Sequence, residues 1–156
     1  MNWLMLLLLS CGAHTQRTGL ILTEGDRAVL VEPTGRETPL VLQGEAQAVQ
    51  ALGGCTVEVE GARKPGGFTV EGWTVKDAGV GAAPFVGRLR RAGSTLYLDD
   101  RTTKTRLQID PSRTAGLENA VGGIVLIEGV IVGRHVLKVI TWRGLLAPGG
   151  GNPGPG

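Results

Sequence analysis

Apolar positions along this chain come in short runs, and glycine, proline and small polar residues break them before a helix could complete three turns. Leu20-Ile21-Leu22, Ala28-Val29-Leu30-Val31, Leu40-Val41-Leu42 and Ile124-Val125-Leu126-Ile127 are of this kind. Many short runs punctuated by turn residues predict an all-β protein. Two-residue breaks at Gly25-Asp26 and Gly93-Ser94 predict tight hairpins, each joining two of the runs.

The pattern repeats. Thr18-Gly19-Leu20-Ile21-Leu22 is echoed by Val86-Gly87-Arg88-Leu89-Arg90, and Ala28-Val29-Leu30-Val31-Glu32 by Thr95-Leu96-Tyr97-Leu98-Asp99. Gly53-Gly54 followed by Val59-Glu60-Gly61 is echoed by Gly122-Gly123 followed by Ile127-Glu128-Gly129. Phe68-Thr69-Val70 before Trp73 is echoed by Leu137-Lys138-Val139 before Trp142. The offset stays between 67 and 69 residues throughout, which marks two copies of one structural unit.

Each unit reads as strand-strand-strand-helix-strand-strand. The strands are expected near 19–24, 28–32, 39–42, 55–61 and 68–75, and again near 86–91, 95–99, 106–109, 124–132 and 135–142. The helices are expected over Glu45–Leu52 and Ser112–Val121, each stopped by a Gly-Gly pair. This order resembles that of small OB-fold domains of bacterial envelope proteins, many of them lipoproteins. The resemblance implies two tandem five-stranded, partly open barrels that bind ligands across their second and third strands. An SH3-like barrel is the competing fold, but it would not ordinarily carry a helix between its third and fourth strands.

Leu8-Leu9-Ser10-Cys11 closes an apolar stretch that is too short to span a bilayer. It resembles the lipobox of bacterial lipoproteins. The resemblance implies a cleaved signal peptide and acylation of Cys11. Gly12 stands where an Asp would commonly mark retention at the inner membrane, so the outer membrane, facing the periplasm, is the expected location. The expected organisation is a signal peptide at 1–10, a lipidated tether at 11–18, barrel domains at 19–78 and 85–146 joined by a linker at 79–84, and a disordered tail at 147–156. The linker is short and partly apolar, so contact between the barrels is expected.

Composition adds restraint. Aromatics are only 4% of residues, so the core must be aliphatic, and a net charge of +2 is too small to imply a polyanion partner. The charge is unevenly divided. Residues 15–83 hold six basic and nine acidic side chains, and residues 84–156 hold ten basic and five acidic. Arg88 with Arg90, and Lys104 with Arg106, fall at strand spacing on shared faces of the second unit. They are the candidate anion-binding residues, and the competing reading pairs them with Asp99, Asp100 and Asp110.

Trp73 and Trp142 hold matching places on the fifth strands. The phase of Phe68 and Val70 points both tryptophans outward, towards a partner, unless a bulge returns them to the core. No catalytic group, metal site or cofactor is expected. His14 and His135 stand alone, Cys55 has no neighbouring Cys or His, and adjacent Asp99 and Asp100 point to opposite faces of a strand. The function expected is a non-catalytic binding or scaffolding lipoprotein that meets another envelope component. The alternative is a polysaccharide or oligonucleotide on the basic face, and nucleic acid is disfavoured by the scarcity of aromatics.

Overall fold

A computed structural model describes residues 14–149, so the expected signal peptide, the lipidated Cys11 and most of the expected tail lie outside the described residues. The described chain is two closed five-stranded barrels in tandem. The first holds β1 (Thr15–Glu24), β2 (Arg27–Val31), β3 (Glu37–Val41), β4 (Thr56–Lys64) and β5 (Gly67–Asp77). The second holds β6 (Ala83–Ala92), β7 (Thr95–Asp100), β8 (Arg106–Ile109), β9 (Ile124–Val132) and β10 (Val136–Leu146). In each barrel the strands run round in the order first, second, third, fifth, fourth. All pairs are antiparallel except third with fifth, β3 with β5 and β8 with β10. This is the connectivity of an OB-fold.

The turns at Gly25-Asp26 and Gly93-Ser94 fall where the sequence places them. The first strand starts earlier than expected, at Thr15, because Thr15–Leu20 pairs with β4 across to Gly61. Arg17, expected in a tether, thus lines the mouth of the first barrel, over the Phe68 ring and 3.3 Å from Glu32. Both helices shrink to 3₁₀ segments. One runs Gly44–Ala51, and the other is a single turn, Leu117–Ala120. The second is cut short by Pro111 and by positive φ at Arg113 and Gly116, which a continuous helix cannot accommodate.

Each fifth strand carries a bulge at the same place. The pairing of β5 with β4 skips Glu71, and the pairing of β10 with β9 skips Ile140. The extra residue reverses the alternation beyond it, so Trp73 and Val75 turn inward like Phe68 and Val70 before the bulge. Trp73 is therefore a buried core residue. Trp142, half-buried, packs against the core of the second barrel. The outward orientation read from simple alternation is corrected by this bulge.

The core of the first barrel continues across the joint, while the second barrel keeps a further core of its own around Leu89, Leu98 and Leu137. Val86, Ile124, Leu126 and Leu145 sit on the outer face of the second barrel, yet they are buried against Ala48, Val49, Leu52 and Trp73 of the first. Polar contacts pin the same joint. The Arg143 guanidinium donates to the carbonyls of Ala51 and Gly53, at 3.1 and 3.3 Å. Arg101, in the turn after β7, lies 4.3 Å over the Trp73 ring, and desolvation at the joint lowers its pKa. Strand β9 is accordingly buried on both faces from Ile124 to Gly129, whereas β4 alternates buried Val57 and Val59 with Thr56, Glu58 and Glu60 facing out.

Candidate functional site

On the outer face of β6–β8 the structure gathers three of the four cations singled out in the sequence and pairs each with a carboxylate, Arg90 and Arg106 sharing Asp99. Arg90 Nε lies 3.2 Å from Asp99 Oδ2, and Arg106 Nε lies 2.8 Å from Asp99 Oδ1. Arg88 reaches across the joint to Glu45, at 3.1 Å, and donates to the Gly122 carbonyl at 2.6 Å. Lys104 does not share a strand face with Arg106. It sits in the β7–β8 turn with φ of 58°, its backbone N–H bonded to the Asp100 carbonyl. Asp100 faces inward, is buried, and accepts from the Thr103 N–H and hydroxyl.

The hydrogen bond from Arg106, aided by the one from Arg90, holds Asp99 below the usual carboxylate range. A depressed folded-state pKa contributes stability above the ordinary carboxylate pKa, and that contribution is lost as pH falls through the lowered value. The Asp99→Asn variant is expected to free both guanidinium groups. It should be retained longer than wild type on a sulfonated cation-exchange matrix, with the difference vanishing at high salt. Equal retention would mean that Asp99 does not mask this face.

A second surface was not singled out in the sequence. On the outer face of β1–β3 in the first barrel stand Leu20 and Leu22, exposed at 39% and 42%, with Val29 and Val31 opposite Leu22 and Leu20 and Pro39 beyond Val29. At an offset of 68 these four aliphatic positions are Arg88, Arg90, Tyr97 and Asp99 in the second barrel. Comparing the two copies position by position is the signal that could have found this surface. The face made by the first three strands is ionic in one barrel and aliphatic in the other.

A shallow cavity of about 220 Å³ opens beside the second barrel, lined by Ser94, Leu96, Gln108, Pro111 and Thr114 among others. Its lining includes no ionisable side chain, so it offers no acid or base. Among the described residues no cluster of His, Cys, Asp and Glu could hold a metal, and no helix is long and apolar enough to cross a membrane. Cys55 is fully buried, and burial raises the pKa of its thiol. Its thiol is expected to resist a thiol-specific disulfide reagent at neutral pH and to react fully in denaturant. Reaction in the native protein at the denatured rate would contradict the packing described.

No protein-family model matches this chain, and no curated protein matches it. Among solved structures, the crystal structure of the Cpx pathway activator NlpE from Escherichia coli aligns over 81% of this chain and 70% of its own. The identity is 15% and the TM-score 0.34, a likeness too loose to carry an argument. The fold assignment rests on strand order and pairing.

Proposed function

We propose that the chain is a non-catalytic binding or scaffolding lipoprotein of the cell envelope, acylated at Cys11. On this reading the barrels stand in the periplasm at the outer membrane. The observation that carries the binding role is the aliphatic outer face of β1–β3 around Leu20 and Leu22. Exposed leucines on a strand surface that OB-folds use for ligands suit an apolar patch on another envelope protein. The basic face of the second barrel is the weaker candidate, because an anion there would have to displace Asp99 and Glu45 from their arginines.

Two measurements test this reading separately. Metabolic labelling with a fatty acid is expected to mark wild type and leave Cys11→Ala unlabelled, and an unlabelled wild type ends the lipoprotein reading. A photo-crosslinking residue at Leu22 is expected to yield an adduct with a second envelope protein, and the added Leu20→Asp change should abolish it. No adduct, or one indifferent to Leu20→Asp, would end the role given to this face.

A further inference from the structure

At the far end of the second barrel β10 stays bonded to β8 through Val136 and Leu137, while the last residues of β9 have a free edge. Strand β6 accompanies β9 only as far as the pairing of Ala83 with Gly129, so Val130–Val132 have β10 on one side and no strand on the other. Val130, Ile131 and Val132 are exposed at 51%, 41% and 38%, and Ile140, the bulged residue of β10, at 44%. Val130 and Val132 face one side of the hairpin and Ile131 the other, since successive strand residues alternate. The end of β9 is thus aliphatic on both of its faces, and the turn beyond it carries exposed Arg134 and His135.

The first barrel shows that the fold does not require this. Its β4 ends in exposed Arg63-Lys64, and its bulged residue is exposed Glu71. Charged residues of that kind are the usual protection of a free strand edge. The second barrel has aliphatic residues at each of these places.

Charge is equally one-sided. Residues 129–140 hold Arg134, His135 and Lys138 and no Asp or Glu. Lys138 stands opposite Val130 on the outward face, and Arg134 is exposed in the turn. An acid near Lys138, Asp110, is already engaged by the backbone and hydroxyl of Ser112. Glu128 lies at the hairpin's base, is buried, and accepts from the Val80 N–H.

We propose that the β9–β10 hairpin is a membrane-contact element that inserts shallowly into an anionic phospholipid surface. A strand end that is aliphatic and exposed on both faces suits a medium that can reach both, whereas a protein laid on one face would leave the other wet. Flanking cations, Arg134 and Lys138, outnumber the one acid beside them, Asp110, and suit phosphate headgroups. The free edge of β9 still needs hydrogen-bonding partners, which keeps insertion at headgroup depth, where water and phosphate oxygens supply them. This contact goes beyond the proposed anchor and does not depend on acylation of Cys11.

The test uses the chain from Gly12 onward, which bears no acyl group; all ten strands lie within it. It is mixed with vesicles of phosphatidylglycerol and phosphatidylcholine, or of phosphatidylcholine alone, and the vesicles are pelleted. The protein is expected to pellet with the anionic vesicles, to stay in solution with the neutral ones, and to be released as salt rises. The Val130→Ser, Ile131→Ser, Val132→Ser variant should lower partitioning about tenfold or more. Arg134→Gln with Lys138→Gln should lower it several-fold. Leu20→Ser with Leu22→Ser should leave it unchanged.

A circular dichroism melt checks each fold. If the triple variant melts early, the outward pair Val130→Ser and Val132→Ser carries the test. Absence of binding to anionic vesicles, or a hairpin variant that binds like wild type, overturns the proposal. So does a dimer in sedimentation that the hairpin variant abolishes while vesicles retain neither protein, since the hairpin would then serve a second copy. Each of these outcomes leaves the fatty-acid labelling of Cys11 unaffected.

Discussion

Gly87→Ala is expected to destabilise the second barrel by about 3 kcal/mol or more, and Gly87→Val to prevent it from folding. A Cβ at Gly87 would overlap the Asp99 carbonyl oxygen and crowd the Asp100 Cα, both of them backbone atoms of the neighbouring strand β7. No side-chain rotation relieves such a clash, so β6 and β7 would have to separate and the closed barrel would open along them. Gly19 meets the Val31 carbonyl in the same way in the first barrel. The same close approach is therefore built into both copies, where strand curvature brings one backbone against another. Urea titration followed by circular dichroism measures the loss. Gly144→Ala is the control, since a Cβ there meets nothing within 4 Å and the substitution should be neutral or slightly stabilising. A Gly87→Ala chain as stable as wild type would show that the strands are further apart than described.

Trp73→Ala is expected to cost about 3–5 kcal/mol, and to cost it in both barrels. The indole is buried in a core that contains Val57, Val59 and Phe68 of its own barrel and also Val86 and Leu126 of the other. Its face carries the Arg101 guanidinium from the second barrel. Removing the ring leaves a cavity at the joint and strands a half-buried cation. Arg101→Ala alone should cost only about 1 kcal/mol, the scale of a partly desolvated cation–aromatic contact. The Trp73→Ala, Arg101→Ala double change should be less harmful than the sum of the two singles. Wild type is expected to melt in one calorimetric transition and Trp73→Ala in two, each barrel unfolding for itself. A single unshifted transition in the Trp73→Ala chain would refute the shared core.

The repeat made the fold readable. A constant offset gave two units, and the Gly-Gly pairs and hairpin turns gave the element order within each. The orientation of Trp73 and Trp142 was not readable, because one bulged residue reverses alternation and nothing in Glu71 or Ile140 announces a bulge. The partner of Arg88 was equally hidden, since Glu45 belongs to the other barrel and meets it only through the joint. One signal was present and unread. The apolar run Ile124-Val125-Leu126-Ile127, set against the alternation of Thr56-Val57-Glu58-Val59, marks a strand covered on both faces.

That contrast between β9 and β4 also gives the molecule a direction. The joint is head to tail. The outer wall of the second barrel receives the 3₁₀ segment and tryptophan of the first, and such a heterologous contact could in principle continue from unit to unit. The corresponding wall of the first barrel presents Thr56, Glu58 and Glu60, a polar surface with no place for another unit's apolar end. It acts as the capping repeat of a stacked array does, closing one end by solvation. Grafting Ile onto Thr56 and Leu onto Glu58, the residues β9 has there as Ile124 and Leu126, should convert a self-limiting pair into a chain-forming subunit.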